Sequence, residues 1–157
     1  MNNKIKITFV GDIMCERPLL KACYSNKGYN FKSVFEVTKK LFNNSDYVIG
    51  NLETVFAGEE AGYTNSLYSF NTPDEFLDAL KESGIDLFLT ANNHCLDRGI
   101  EGLRRTVHEL DSRNMAHIGT YLNGKERKKI FVKDIHGVKF AFLNYTYGTG
   151  MKDNHVI

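Results

Sequence analysis

Asp12, Asn51, Glu53, Asn93 and His94 are the residues whose types and placement could do chemistry in this sequence. Each follows a short apolar run. Gly11-Asp12 comes after Ile5–Val10, Gly50-Asn51-Leu52-Glu53 after Tyr47-Val48-Ile49, and Ala91-Asn92-Asn93-His94 after Ile85, Leu87, Phe88 and Leu89. Short apolar runs that stop in polar clusters read as strands. No strand propensity explains two asparagines and a histidine in that place. In an open parallel sheet, the carboxyl ends of the strands are where ligands bind. Parallel neighbours lie ~4.8 Å apart, so several strand ends can reach one cation with bonds of ~2.0–2.3 Å. Carboxylate, amide oxygen and imidazole suit a divalent ion such as Mn, Fe, Zn or Mg, and not a soft thiolate site.

Taken singly, each residue has an ordinary role. Asp12 could cap a following helix, Asn51 could serve a turn, Glu53 could be a solvated loop acid, and His94 could close an Asn-rich turn. Three polar strand ends in succession outweigh these separate accounts. Other constellations are weaker. Cys95 adjoins His94, but sequence neighbours rarely face one another, which argues against a Cys/His nucleophile pair. Glu16 and Glu53 could act as acid and base, yet nothing in the sequence fixes their separation. The glycines form neither a G-x-G-x-x-G nor a P-loop pattern. His108, His117 and His136 fall in a helix, a strand and a turn, and read as structural.

The elements that must position these residues follow from periodicity. A strand over Ile5–Val10 is followed by a loop with Pro18 at the first turn of a short helix. Asn30 caps an amphipathic helix with Phe31, Val34, Phe35, Thr38, Leu41 and Phe42 on one face. After the strand at Tyr47, a long loop runs from Thr54 to Asn71, a length that is often functional. Thr72-Pro73-Asp74-Glu75 reads as a capping box opening a helix that packs Phe76, Leu77 and Leu80 and stops at Gly84. A third helix spans Ile100 to Arg113, and a strand at Ala116–Ile118 ends at Gly119. A hairpin closes the series: Ile130–Ile135, a His136-Gly137 turn, then Val138–Tyr145. The tail from Gly148 to Asn154 reads as a linker or a cut edge. Strand and helix alternate until the hairpin, which predicts an α/β fold with a mainly parallel sheet flanked by helices and a C-terminal β-hairpin.

The 157 residues read as a single domain, 1–157, with 42% apolar and 25% charged residues, an ordinary globular composition. The core rests on 11 Phe and 8 Tyr in the absence of Trp. A net charge of +1 supplies no field to attract nucleic acid or an anionic membrane. The basic run Lys125–Lys129 reads as a solvated loop. Three cysteines without C-x-x-C spacing suit a reducing compartment. The N-terminal apolar run is too short for a signal peptide, and no segment approaches the ~20 apolar residues of a membrane span. A cytoplasmic location is the expectation.

GDIM, IGNLET, FNTPDEFLDALKESGIDLFLTANNHCLDRGIEGL, the HIGT strand end and VKFAFLNYTYGT together resemble the CapA family of capsule or poly-γ-glutamate synthesis proteins. That family is similar in architecture to the calcineurin-like metallophosphoesterases, an α/β/β/α sandwich with metal ligands at strand ends. The resemblance implies that Asp12 is the first motif's metal-binding aspartate. Asn51 and Glu53 lie where the second motif supplies its ligands, and the resemblance does not choose between them. Asn93 matches the ligand asparagine of the third motif, and His94 the histidine beside the reacting phosphate.

Two departures matter: Met14 stands where the phosphoesterase pattern Asp-x-His has histidine, and the later histidine motifs are absent, His155 having neither the spacing nor a strand before it. The resemblance thus implies the N-terminal part of a longer domain. It implies a metal-dependent hydrolase of phosphoester or related bonds, with Asp12 and His94 catalytic. The alternative is a non-catalytic accessory protein binding an anionic polymer such as poly-γ-glutamate. Half a sandwich should leave Phe131, Phe140, Phe142 and Tyr145 partly exposed, to be covered by the rest of the protein or by self-association.

Overall fold

The computed structural model describes residues 4–149 and lays four parallel strands side by side in the order in which the chain makes them. From the N-terminus come β1 (Ile7–Ile13), α1 (Arg17–Ala22), a ribbon of β2 (Tyr24–Ser25) and β3 (Gly28–Tyr29), and a 3-10 turn (Lys32–Phe35) running into α2 (Glu36–Phe42). Then follow β4 (Tyr47–Leu52), a 3-10 turn (Glu59–Ala61), α3 (Glu75–Ser83), β5 (Leu87–Leu89), α4 (Gly99–Ser112) and β6 (His117–Ile118). The last described elements are α5 (Gly124–Arg127) and the hairpin β7 (Phe131–Ile135) and β8 (Val138–Phe142).

The sheet order β1-β4-β5-β6 moves one place in the same direction at every crossover. Crossovers of the usual right hand, repeated in one direction, put every connecting helix on the same face. The pleat then sends alternate residues to opposite faces. Val48 and Leu52 of β4 and Phe88 of β5 pack with Phe31, Phe42, Phe76, Leu80 and Leu110. Tyr47, Ile49, Leu87 and Ile118 pack instead against Ile135, with Phe131, Phe140 and Phe142 alongside. The result is three layers: helices, parallel sheet, hairpin. This confirms the expected α/β fold. The hairpin aromatics sit half-buried on the sheet, while Tyr145 is 75% exposed.

Several local expectations are corrected. The capping box does not form, because the Thr72 hydroxyl pairs with Thr54 Oγ1 at 2.7 Å and α3 begins at Glu75 without a side-chain cap. Leu41 is 63% exposed, since the helix after Asn30 opens as a 3-10 turn and its apolar face shifts before α2 begins. Asn30 is not the N-cap, a place that Phe31 takes without a side-chain bond, but its Oδ1 accepts from Lys32 N at 3.1 Å in the turn leading in. The start of the basic run is the short helix α5, and Asn123 Oδ1 accepts from Lys125 N and Glu126 N at its N-terminus. The ribbon β2–β3 carries no alternation that sequence could reveal. From residue 150, the linker-like tail and His155 lie outside the described residues.

The hairpin turn has positive φ at both centres, 51° at His136 and 83° at Gly137, as a two-residue turn requires. His136 Nε2 meets Asp46 Oδ1 at 2.8 Å, and Asp46 Oδ2 accepts from Lys6 N at 2.7 Å. The turn is thereby pinned to the start of the sheet. Among the described residues, no helix is long and apolar enough to cross a membrane, and all three cysteines are free.

Candidate functional site

The register of the sheet brings the polar strand ends together. Val10 pairs with Gly50 and Asp12 with Asn51, so Gly11 is the extra residue of a bulge. A bulge re-aims the residues that follow it. Gly50 faces this bulge, where a Cβ would stand 2.5 Å from Ile13 Cδ1. Asn51 also pairs with Leu89 of β5, which ends two residues before Ala91.

Asn51 is the hub. Its Nδ2 donates to Asp12 Oδ1 and to Glu53 Oε2, both at 2.8 Å. Its Oδ1 accepts from Asn92 Nδ2 at 3.0 Å, and the same Asn92 amide donates to Leu52 O at 2.8 Å. Asn92 Oδ1 in turn accepts from His94 N at 3.1 Å, fixing the turn that carries the imidazole. His94 Nε2 lies 3.8 Å from Glu53 Oε1, with both side chains largely buried. One chain of amides thus ties three strand ends to two carboxylates and a histidine.

The electrostatics follow. The Asn51 amide, first, and the neighbouring Glu53 hold the Asp12 carboxyl below its ordinary range. Burial, first, and the nearness of Asp12 push Glu53 above its own. Two carboxylates crowded this way cannot both ionise at ordinary cost unless positive charge joins them.

His94 Nδ1 is 2.8 Å from Asp97 Oδ2, which also accepts from Phe70 N at 2.6 Å. The Phe70 ring lies on the imidazole, centroids 4.5 Å apart. Phe70 closes the long loop 54–71, and that loop is built to hold still. Asn71, wholly buried, accepts from Ala57 N at 2.8 Å and donates to Gly58 O and Gly62 O at 2.9 Å. Arg98 reaches Ala61 O, Gly62 O and Ser69 Oγ, and Arg105 holds Phe56 O and Asp74.

From the far side, Asn144 follows β8 and clamps the backbone just before the turn. Its Oδ1 accepts from Ala91 N at 2.7 Å, and its Nδ2 donates to Ala91 O at 3.3 Å. Gly119 lies in the same junction with φ 116°, and a Cβ there would stand 2.1 Å from Asn144 Oδ1.

The structure therefore brings together Asp12, Asn51, Glu53 and His94. Asn93 is exposed, and no side-chain hydrogen bond joins it to this network; the amide that does is Asn92. Asn144 lay outside the sequence reading of the site, whereas Asn92 and Asp97 stood in its strand-end cluster without an assigned role. Asp97 alone had a readable signal, its spacing of three residues from His94 within one turn. Cys95 points into an apolar cluster with Leu96, Leu103 and Val107, where burial pushes its thiol up to about 11. Glu16 sits at the N-cap of α1, with no hydrogen bond to Glu53. His117 and His136 are tied to Asp111 and Asp46, and His108 is exposed on α4.

Carboxylate oxygens and an imidazole nitrogen fit a divalent cation by their chemistry. Among the described residues, no three His, Cys, Asp or Glu side chains yet close around one point.

Residues 6–156 match the family model described as bacterial capsule synthesis protein PGA_cap. The chain is 31% identical over 148 residues to the capsule biosynthesis protein CapA of Bacillus anthracis, covering 92% of this chain and 35% of that protein. It is also 31% identical to the PGA biosynthesis protein CapA of Bacillus subtilis (strain 168), covering 93% of this chain and 38% of that one. An uncharacterized protein of Sinorhizobium fredii matches at 31% over 116 residues, 70% of this chain and 23% of that protein. The chain thus spans little more than a third of the length of the two CapA proteins. With a match over nearly its whole length, the chain belongs to the bacterial capsule synthesis protein PGA_cap family.

Proposed function

We propose that this site hydrolyses a phosphoester or related bond of an anionic substrate in capsule or poly-γ-glutamate assembly, with a divalent metal ion as cofactor. The observation that carries the reading is the pair Asp12 and Glu53, drawn together by one amide with His94 beside them. Asp12 and Glu53 would hold the ion, with His94 beside it. Asn51 orients both carboxylates, and Asn93 is a further oxygen donor at the exposed turn. The ion, when bound, supplies positive charge that polarises the substrate and makes water a nucleophile near neutral pH.

The chain's own residues do the rest. Glu53 and Asp12, both bonded by the Asn51 amide, would keep the ion and the water it activates in place. His94, held at Nδ1 by Asp97, presents Nε2 to the leaving oxygen for proton transfer. The Phe70 ring packs against the imidazole, tilted by 56° to it.

The test uses the full-length protein with a chromogenic phosphodiester and Mn²⁺ or Zn²⁺. His94→Ala is expected to lower turnover by about 10²–10⁴-fold, with metal content little changed. Met14, in place of a histidine ligand, favours a second reading, an accessory protein that binds an anionic polymer. Absence of metal-dependent hydrolysis together with retained poly-γ-glutamate binding would decide for that reading.

A further inference from the structure

We infer that Asp97 is a positioning residue: it fixes His94 in the tautomer protonated at Nδ1, so that Nε2 meets the cleft as the free ring nitrogen. One carboxylate oxygen carries the argument. Asp97 Oδ2 accepts from Phe70 N at 2.6 Å, and a backbone N–H can act in no other way. The same oxygen lies 2.8 Å from His94 Nδ1, so the imidazole supplies the second proton of that junction. In a histidine, the hydrogen bond made by one ring nitrogen sets the state of the other. Nε2 is therefore the lone-pair nitrogen in the neutral ring, and it is this atom that lies 3.8 Å from Glu53 Oε1. A solvated imidazole prefers the opposite tautomer, with its proton on Nε2, which would turn an N–H toward the cleft.

Two further contacts make the geometry rigid. Asp97 N donates back to His94 O at 3.1 Å, closing the turn between them. The Phe70 ring lies on the imidazole while its amide holds the carboxylate. The end of the long loop and the histidine thus share one anchor, and a shift of residue 70 is a shift of the imidazole. Asp97 and His94 are 11% and 15% exposed at their side chains, so water does not compete freely for this bond.

The tautomer does not depend on the hydrolase reading; its consequence for turnover does. The experiment is long-range proton–nitrogen NMR on ¹⁵N-labelled full-length protein without metal or substrate, above the titration of the imidazoles. His94 is assigned by its loss in His94→Gln, and the exposed His108 serves as internal reference. The expected result is the Nδ1–H pattern for His94 in the wild type and in Asp97→Asn, whose amide oxygen still accepts. Asp97→Ala should shift His94 to the Nε2–H-dominated pattern of His108. An Nε2–H pattern in the wild type, or an unchanged Nδ1–H pattern in Asp97→Ala, would overturn the inference. Should Asp97→Ala fail to fold, the wild type and Asp97→Asn decide it.

A kinetic arm separates the two claims. If the protein is a hydrolase, Asp97→Ala lowers kcat by about 10–100-fold with KM little moved, and Asp97→Asn restores most of it. The Nδ1–H pattern without any hydrolysis would sink the functional reading and leave the positioning role standing.

Discussion

Glu53→Gln should make the metal-free protein more stable, although the residue lies at the centre of the site. Glu53 is 12% exposed at its side chain and accepts a hydrogen bond from Asn51 Nδ2. It also faces Asp12, which pushes its carboxyl up on top of the effect of burial. Glutamine has the same shape, so no cavity forms. Its amide oxygen can keep the Asn51 bond, and its NH₂ can donate to Asp12 where two carboxylates now compete. Relieving such a site stabilises proteins by about 0.5–2 kcal/mol. For a chain of this size that is a rise in Tm of about 1–8 °C.

The pH dependence has a definite sign. Glu53 is raised from 4.5 in the folded state, so the unfolded chain ionises first as pH rises. The wild type then loses stability until pH passes the raised folded value. Glutamine cannot ionise, so the difference in Tm should be near zero in acid and grow to a plateau towards neutrality. Asp12 works in the opposite sense: its stabilisation is present above 3.8 and lost as pH falls through its lowered folded value. The part of this that comes from the Asn51 amide is common to both proteins and cancels from the difference. Thermal unfolding from acid to neutral pH with a chelator present is the assay, and Mn²⁺ titration should show weaker binding by the variant. A destabilised variant at neutral pH, or a difference independent of pH, would refute the claim that Glu53 and Asp12 compete.

Mn²⁺ should itself raise the Tm of the wild type. At one hundred times its dissociation constant the gain is about 2.7 kcal/mol, which a thermal-shift titration reads directly. Asn71→Ala leaves Ala57 N, Gly58 O and Gly62 O short of their partner, at a cost of about 1–3 kcal/mol. Faster amide exchange at residues 57–62 should accompany it. Asn144→Ala strands the Ala91 amide at about the same cost. Combined with Gly119→Ala, whose Cβ would strike the Asn144 oxygen, it should give less than the sum of the two losses by more than about 0.5 kcal/mol. Leu41→Lys, at an exposed position, should change stability by less than about 0.5 kcal/mol in chemical denaturation.

The alternation of strand and helix was legible because each strand of the central sheet is a short apolar run with polar residues at its end. Once Ile49, Leu87 and Ile118 are in neighbouring strands, Asp12, Asn51 and the turn after Leu89 must come to one edge. The side-chain bonds within that edge were not legible. Which of Asn92 and Asn93 turns inward is not set by any pattern of residue types: Asn92 Nδ2 finds Asn51 Oδ1 and Leu52 O, both far off in sequence. Thr72 looked like a cap because its spacing to Glu75 is right, but a buried hydroxyl opposite it at Thr54 is the better partner. Asn144 could not be linked to Ala91 from sequence, since 53 positions separate them and nothing in either neighbourhood names the other.

That separation has a meaning during synthesis. The ribosome adds about 5–20 residues per second, so Ala91 waits about 3–10 s for Asn144 to be made. In that interval the strands are already available to pair, being consecutive in the chain and joined by local contacts. The face that will carry β7 and β8 stays bare, however, with Tyr47, Ile49, Leu87 and Ile118 open to any sticky neighbour. The polar edge of the sheet is likewise unset, because the peptide at Ala91 has no partner to hold it. A nascent chain halted before residue 144 would therefore be a client for chaperones, and the moment the hairpin docks is also the moment the His94 turn acquires its shape.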